Sequence, residues 1–242
     1  MSALLAQTRT ELGLSLRQGE QVLVGIGIPL LLLVFFSTVD VLPKPEGVDE
    51  PIDFLAPGIL ALAIMSTAMV SLGIGTGFER QYGVLKRLGV TPLGRPRLLA
   101  AKIAMVLCLE AIQVAVLVPT SLLLGWEPGW SLALALPAYL LGTAAFAGIG
   151  LLMAGTLRGT VTLAAANGLY IVLLLLGGMI IPLSELPGPV ATLAGLLPAG
   201  ALAETMGAAF TPGASAGARA WIVLAVWAVG APLAAARFFR WE

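Results

Sequence analysis

Long apolar runs separated by short polar stretches dominate the chain, and the lengths of those runs carry the first structural information. A helix rises about 1.5 Å per residue and needs about twenty apolar residues to cross the hydrocarbon core of a bilayer. Six runs are read as spans: Val22–Val39, Phe54–Thr76, Leu98–Leu124, Ser131–Thr156, Val161–Ile181 and Ala220–Ala236. Ahead of the first, Leu4, Leu5, Thr8, Leu12 and Leu16 fall near one helical face, while Gln7, Arg9, Glu11 and Arg17 fall elsewhere. That pattern predicts an amphipathic helix over residues 1–21 lying in the membrane interface. Residues 183–218 are apolar but interrupted by Pro187, Pro189, Gly195, Pro198, Gly200, Glu204 and Gly207. Two short outer helices, re-entrant rather than spanning, fit this stretch, because backbone that breaks at membrane depth must be buried in protein or line a wet cavity. The expected fold is all-α, a single polytopic membrane domain over residues 1–242.

Composition agrees with lipid as the solvent. The 242 residues are 59% hydrophobic and 11% charged, with mean hydropathy +1.00, whereas a soluble domain is about one quarter charged. Thirteen basic residues balance thirteen acidic ones, so no net field draws the chain to nucleic acid. Their placement is lopsided. With the N-terminus in the cytoplasm, Arg9, Arg17, Arg80, Lys86, Arg87, Arg95, Arg97, Lys102, Arg158, Arg237 and Arg240 lie inside, and only Lys44 and Arg219 lie outside. The positive-inside rule then predicts a multi-pass protein with two cytoplasmic termini. The first outer loop is acidic, with Asp40, Glu46, Asp49, Glu50 and Asp53.

Several chemistries are closed. There is no histidine and one cysteine, Cys108, inside an apolar run, which removes His-ligated metals, Cys-based zinc sites, internal disulfides and Ser-His or Cys-His nucleophiles. No aspartate sits at a span centre, so an intramembrane aspartyl enzyme is not expected either. A P-loop needs Gly-Lys followed by Ser or Thr, yet the three lysines follow Pro43, Leu85 and Ala101. The Gly-rich dinucleotide fingerprint also fails, since Gly25-Ile26-Gly27 is followed by Leu30 and Gly73-Ile74-Gly75 by Phe78.

Three polar residues inside spans stand out. Glu110 lies near the middle of the third span, three residues before Gln113, and the two are expected to share a wall facing the bundle interior. A carboxylate facing lipid costs several kcal/mol, so Glu110 reads as a contact for a substrate cation, a proton relay, a gating pair, or a protonated structural group. Asn167, the only asparagine, reads as a bond across a helix interface or a substrate contact. Small residues at short spacing, Gly73, Gly75 and Gly77, then Ala144, Gly148 and Gly155, allow close helix approach without assigning a dimer face.

The loop at residues 77–97 holds five of the thirteen basic residues. Val84 with Leu88 and Gln81 with Leu85 are four apart, which predicts a short amphipathic helix over Glu79–Leu88 stopped by Gly89. Thr91 is placed to cap, and Pro92 to start, the next helix. On charge alone this is a lipid anchor contributing about 1 kcal/mol per basic residue.

The order of residues adds more. Glu79-Arg80, Gly83, Leu88, Thr91-Pro92-Leu93 and Arg95, with Lys102 opening the third span, resemble the cytoplasmic coupling segment of ABC-2 type permeases. Gly177-Gly178, Ile181-Pro182, Leu186-Pro187 and Leu197-Pro198 resemble the same family's series after its fifth span. The resemblance implies a dimeric transmembrane unit, with a second permease copy, that exports cargo using a separate ABC ATPase. ATP and magnesium would bind that subunit and no cofactor this chain. Glu79, Arg80, Gly83, Lys86, Arg87, Leu88, Thr91 and Pro92 would then couple to the ATPase, while Glu110, Gln113 and Asn167 are candidates for the translocation path. A wide bundle with few fixed charges suits a drug, an antibiotic or a lipid. The alternative is a secondary or proton-coupled exporter centred on Glu110.

Overall fold

The computed structural model describes residues 3–17, 19, 23–39, 50–89 and 94–241, and the regular elements among them are all helical. Helix α1 (Ala3–Arg17) is followed by a π-helical turn (Leu23–Gly27) that leads into α2 (Ile28–Thr38). Helix α3 (Pro51–Gln81) is continuous but π-helical over Ser66–Ser71. Helices α4 (Val84–Gly89), α5 (Gly94–Leu123), α6 (Leu132–Thr156) and α7 (Gly159–Leu176) come next. A 3-10 turn (Leu183–Glu185) then precedes α8 (Gly188–Ala194), α9 (Pro198–Phe210) and α10 (Ala218–Phe238).

Among the described residues five helices, α3, α5, α6, α7 and α10, are long and apolar enough to cross a membrane. The first expected span is shorter than its sequence run: an eleven-residue α2 behind a five-residue π turn, its expected start at Val22 lying outside the described residues. Helices α8 and α9 meet at 83°, where Gly195 ends one and Pro198 opens the other. The interruptions read from the sequence thus bend this stretch as expected. On α10, Ile222, Val226, Val229 and Leu233 are exposed, and so are Ile171, Val172 and Leu175 on α7. Such apolar outer faces are at home in lipid.

Helix α3 is the axis of the bundle. Its apolar window is 94% buried, with Ile59, Ala61, Leu62, Met65 and Met69 fully enclosed by α2, α5, α6, α7 and α9. Apolar side chains gain little by leaving lipid, so close van der Waals contact has to hold the helices together. At the crossing of α3 and α6, a Cβ on Gly150 would lie 2.7 Å from the Met69 carbonyl oxygen, and one on Gly73 would lie 3.1 Å from Gly150 Cα. Gly148 is pressed against Pro232 of α10. Gly73, Gly77, Gly148 and Gly155 therefore serve contacts inside the chain, whereas Gly75 faces open space.

The expected helix over Glu79–Leu88 is corrected by the structure. The 31 residues of α3 extend about 46 Å, well beyond a hydrocarbon core of about 30 Å, so Glu79 and Arg80 finish the span helix. Gly83, at φ +70°, then turns the chain in the left-handed region open to glycine. Tyr82 N–H donates to the Phe78 carbonyl at 2.9 Å and Gly83 N–H to that of Arg80 at 3.0 Å. Only Val84–Gly89 forms the short helix. Thr91 and Pro92 lie outside the described residues, as do residues 40–49 of the acidic loop.

Candidate functional site

Buried charges and a small apolar cluster meet at the basic end of the bundle, where α3 runs into α4. Leu85 is 1% exposed and packs on Leu98 of α5, with Leu88, Phe239 and Trp241 around them. This fastens one side of α4, while Lys86 and Arg87 are exposed. Arg80, one turn before Gly83, points back into the protein. Its guanidinium donates to the carbonyls of Gly155 at 2.7 Å, Leu157 at 2.5 Å and Arg240 at 3.3 Å. The last carbonyls of a helix lack intrahelical donors and carry its negative pole, so Arg80 acts as the C-terminal cap of α6.

Glu79 is one residue away and about 100° around the helix. Its carboxylate meets Lys102 Nζ of α5 at 2.6 Å, and the same ammonium meets Glu11 of α1 at 3.1 Å. Gln7 Nε2 donates to Glu11 Oε1 at 2.9 Å. Lys102 is 2% exposed, and a buried ammonium is tolerable only when paired and hydrogen-bonded. The amphipathic pattern of α1 places Glu11 away from its apolar face, on the side expected to meet water. Instead it faces the bundle, whereas Leu5, Leu14 and Leu16 are exposed. Beside this triad a cavity of about 670 Å³ opens, with walls from α1, α3, α5 and α7 that include Thr76 and Asn167.

Asn167 is exposed and donates to the Leu163 carbonyl of its own helix at 3.0 Å. Among the described contacts it crosses to no other helix. Glu110 and Gln113 are both buried in the bundle, at 1% and 2% exposure. Three residues place side chains 60° short of a full turn, and the two reach different neighbours. Thr143 of α6 donates to Glu110 Oε2 at 2.8 Å, with Tyr139 beside the same carboxyl. Gln113 Nε2 donates to the Gly25 carbonyl at 2.5 Å and to Thr67 Oγ1 at 2.7 Å. Those two acceptors belong to the two π-helical stretches, so one amide bridges both. A π turn disturbs the regular backbone ladder, which explains why a side-chain donor is useful there.

Sequence reasoning passed over Glu11, Thr67, Thr76, Tyr139 and Thr143. One signal was present: Lys102 sits inside an apolar run and needs a carboxylate partner. Its partners, Glu79 and Glu11, lie 23 and 91 residues away, and choosing Glu11 required knowing that α1 packs along α5.

Together these features define a polytopic, all-α membrane protein whose longest span leads into a short, fastened amphipathic helix at its basic end. Residues 3–210 match the family described as ABC-2 type transporter, and the chain belongs to that family. The match runs from α1 to the end of α9. A comparison with curated proteins finds no match to this chain.

Proposed function

We propose that the chain is the permease subunit of an ATP-driven ABC exporter in a bacterial inner membrane, working with a second permease copy and a separate ABC ATPase. The observation that carries this reading is α4. It is fastened through Leu85 and Leu98 on one side, presents Lys86 and Arg87 on the other, and follows the one turn at Gly83 that α3 makes at its end. A short helix so held suits docking into a groove of the motor subunit, and Leu88, Thr91 and Pro92 belong to the same docking segment. Glu79 and Arg80 would tie that segment to α5 and α6, so that movement of α4 reaches the spans. The basic end is then the cytoplasmic one, as the distribution of Arg and Lys favours.

The largely apolar cavity beside the triad supports a hydrophobic or amphipathic cargo, such as a drug, an antibiotic or a lipid. A Gly83→Pro chain cannot adopt a positive φ, so it should lose co-purification with the ATPase while remaining monodisperse in detergent. Transport by the purified chain in liposomes without any ATPase would sink the proposal. A second reading, a secondary or proton-coupled exporter, is favoured by one observation, the enclosed Glu110. It requires export that persists without ATP and disappears with Glu110→Gln.

A further inference from the structure

The cavity at the basic end has an unusual charge balance. Lys102 is the only basic residue on its described lining, and two carboxylates, Glu11 and Glu79, already hold it. The three formal charges leave a surplus of one negative. In a poorly hydrated setting such a surplus is costly, and a matching cation relieves it. Thr76 adds a second, independent sign of a missing partner. It is 1% exposed, lines the same cavity, and its hydroxyl has no hydrogen-bond partner among the described residues, an uncommon state for a buried polar atom. On the same wall Phe78 and Tyr82 stack, their ring centroids 6.1 Å apart and planes 15° from parallel. Aromatic faces attract cations and accept apolar groups. A volume of about 670 Å³ lies within the range of small-molecule sites.

We infer that this cavity binds the charged head of an amphipathic organic cation. This rests on the permease reading and narrows its cargo class. An anionic amphiphile would meet Glu11 and Glu79 and find Lys102 already neutralised, so charge excludes it. The aromatic pair holds the apolar body, the surplus carboxylate the positive centre, and Thr76 any hydrogen-bonding group on the ligand.

Two ions of nearly the same size and opposite charge, tetraphenylphosphonium and tetraphenylborate, test the inference on the purified full chain in nanodiscs by equilibrium dialysis. With uptake by protein-free nanodiscs subtracted, since lipid takes up both ions, the expected result is saturable binding of the cation and none of the borate. Glu11→Gln, which removes the surplus charge, should weaken cation binding at least tenfold. Should Glu11→Gln not yield a monodisperse protein, Thr76→Val keeps the shape of the wall and should weaken binding a few-fold. Equal binding of the two ions, or cation binding unchanged in both variants, overturns the inference. ATPase association is measured on the same preparations. Absent cation binding with intact ATPase association rejects the cargo class alone, while cation binding with no ATPase association rejects the permease reading and leaves the cavity assignment standing.

Discussion

Replacing Arg80 by alanine separates a cap on α6 from a contact with a partner protein. The guanidinium donates to the carbonyls of Gly155 and Leu157 at 2.7 and 2.5 Å, and more weakly to that of Arg240 at 3.3 Å. A hydrogen bond involving a charged group contributes about 1.5–3 kcal/mol, and a cation at a helix C-terminus adds about 0.3–1 kcal/mol. These contributions do not add, because Arg80 is half-buried and water recovers part of each lost bond. Arg80→Ala should therefore destabilise the chain by about 2 kcal/mol. Arg80→Lys should recover less than half of that loss, since a point-like ammonium cannot span two carbonyls as the planar fork does. The assay is SDS titration of the purified chain in mixed micelles followed by tryptophan fluorescence, with ATPase association measured in parallel. If Arg80→Ala unfolds at the wild-type midpoint yet loses the ATPase, the side chain is a docking contact and the cap assignment is wrong.

Three further substitutions test the packing and the buried polar groups. Lys102→Met leaves two carboxylates enclosed without a cation and should cost about 3–5 kcal/mol, whereas the triple change with Glu11→Gln and Glu79→Gln should cost much less; equal unfolding midpoints would contradict the ion triad. Gly150→Ala forces a methyl to within 2.7 Å of the Met69 carbonyl oxygen and should cost about 1–3 kcal/mol, while Gly168→Ala, which meets nothing within 4 Å among the described residues, should hold the thermal midpoint or raise it slightly. Gln113→Leu strips the Gly25 carbonyl of its side-chain donor and should cost about 1–3 kcal/mol, with faster amide exchange concentrated in residues 23–38; uniform exchange along the chain would contradict a local bridge.

Run length was sufficient to find the long spans because it is a one-dimensional property: hydrocarbon thickness sets it, and each segment satisfies it alone. α5, α6, α7 and α10 lie close to where the apolar runs place them. Helix ends were less legible. Nothing in Thr76–Gln81 marks the membrane boundary as a helix stop, and the helix runs on to the first residue that favours a left-handed turn, Gly83. The π-helical stretches at Leu23–Gly27 and Ser66–Ser71 have no composition of their own. They emerge only in the structure, where Gln113 is bonded to both.

The polar sites divide along the same line. That Glu110, Gln113 and Lys102 could not face lipid follows from the cost of a polar group in hydrocarbon, and all three are enclosed. Which partner each meets is a tertiary fact. Glu79 and Arg80 read as one motif because they are adjacent, yet a helix turns about 100° between neighbours, and the two side chains leave α3 in different directions. One ties it to α5 and α1, the other to α6 and the C-terminal segment. Adjacency in sequence thus gives the end of α3 two independent attachments immediately before the turn at Gly83. On the proposed permease reading, a displacement of α4 would reach α3, α5 and α6 together through these attachments. The charge pattern of the loop could not show this, because its two most informative charges are spent inside the bundle, and Lys86 and Arg87 remain on the surface.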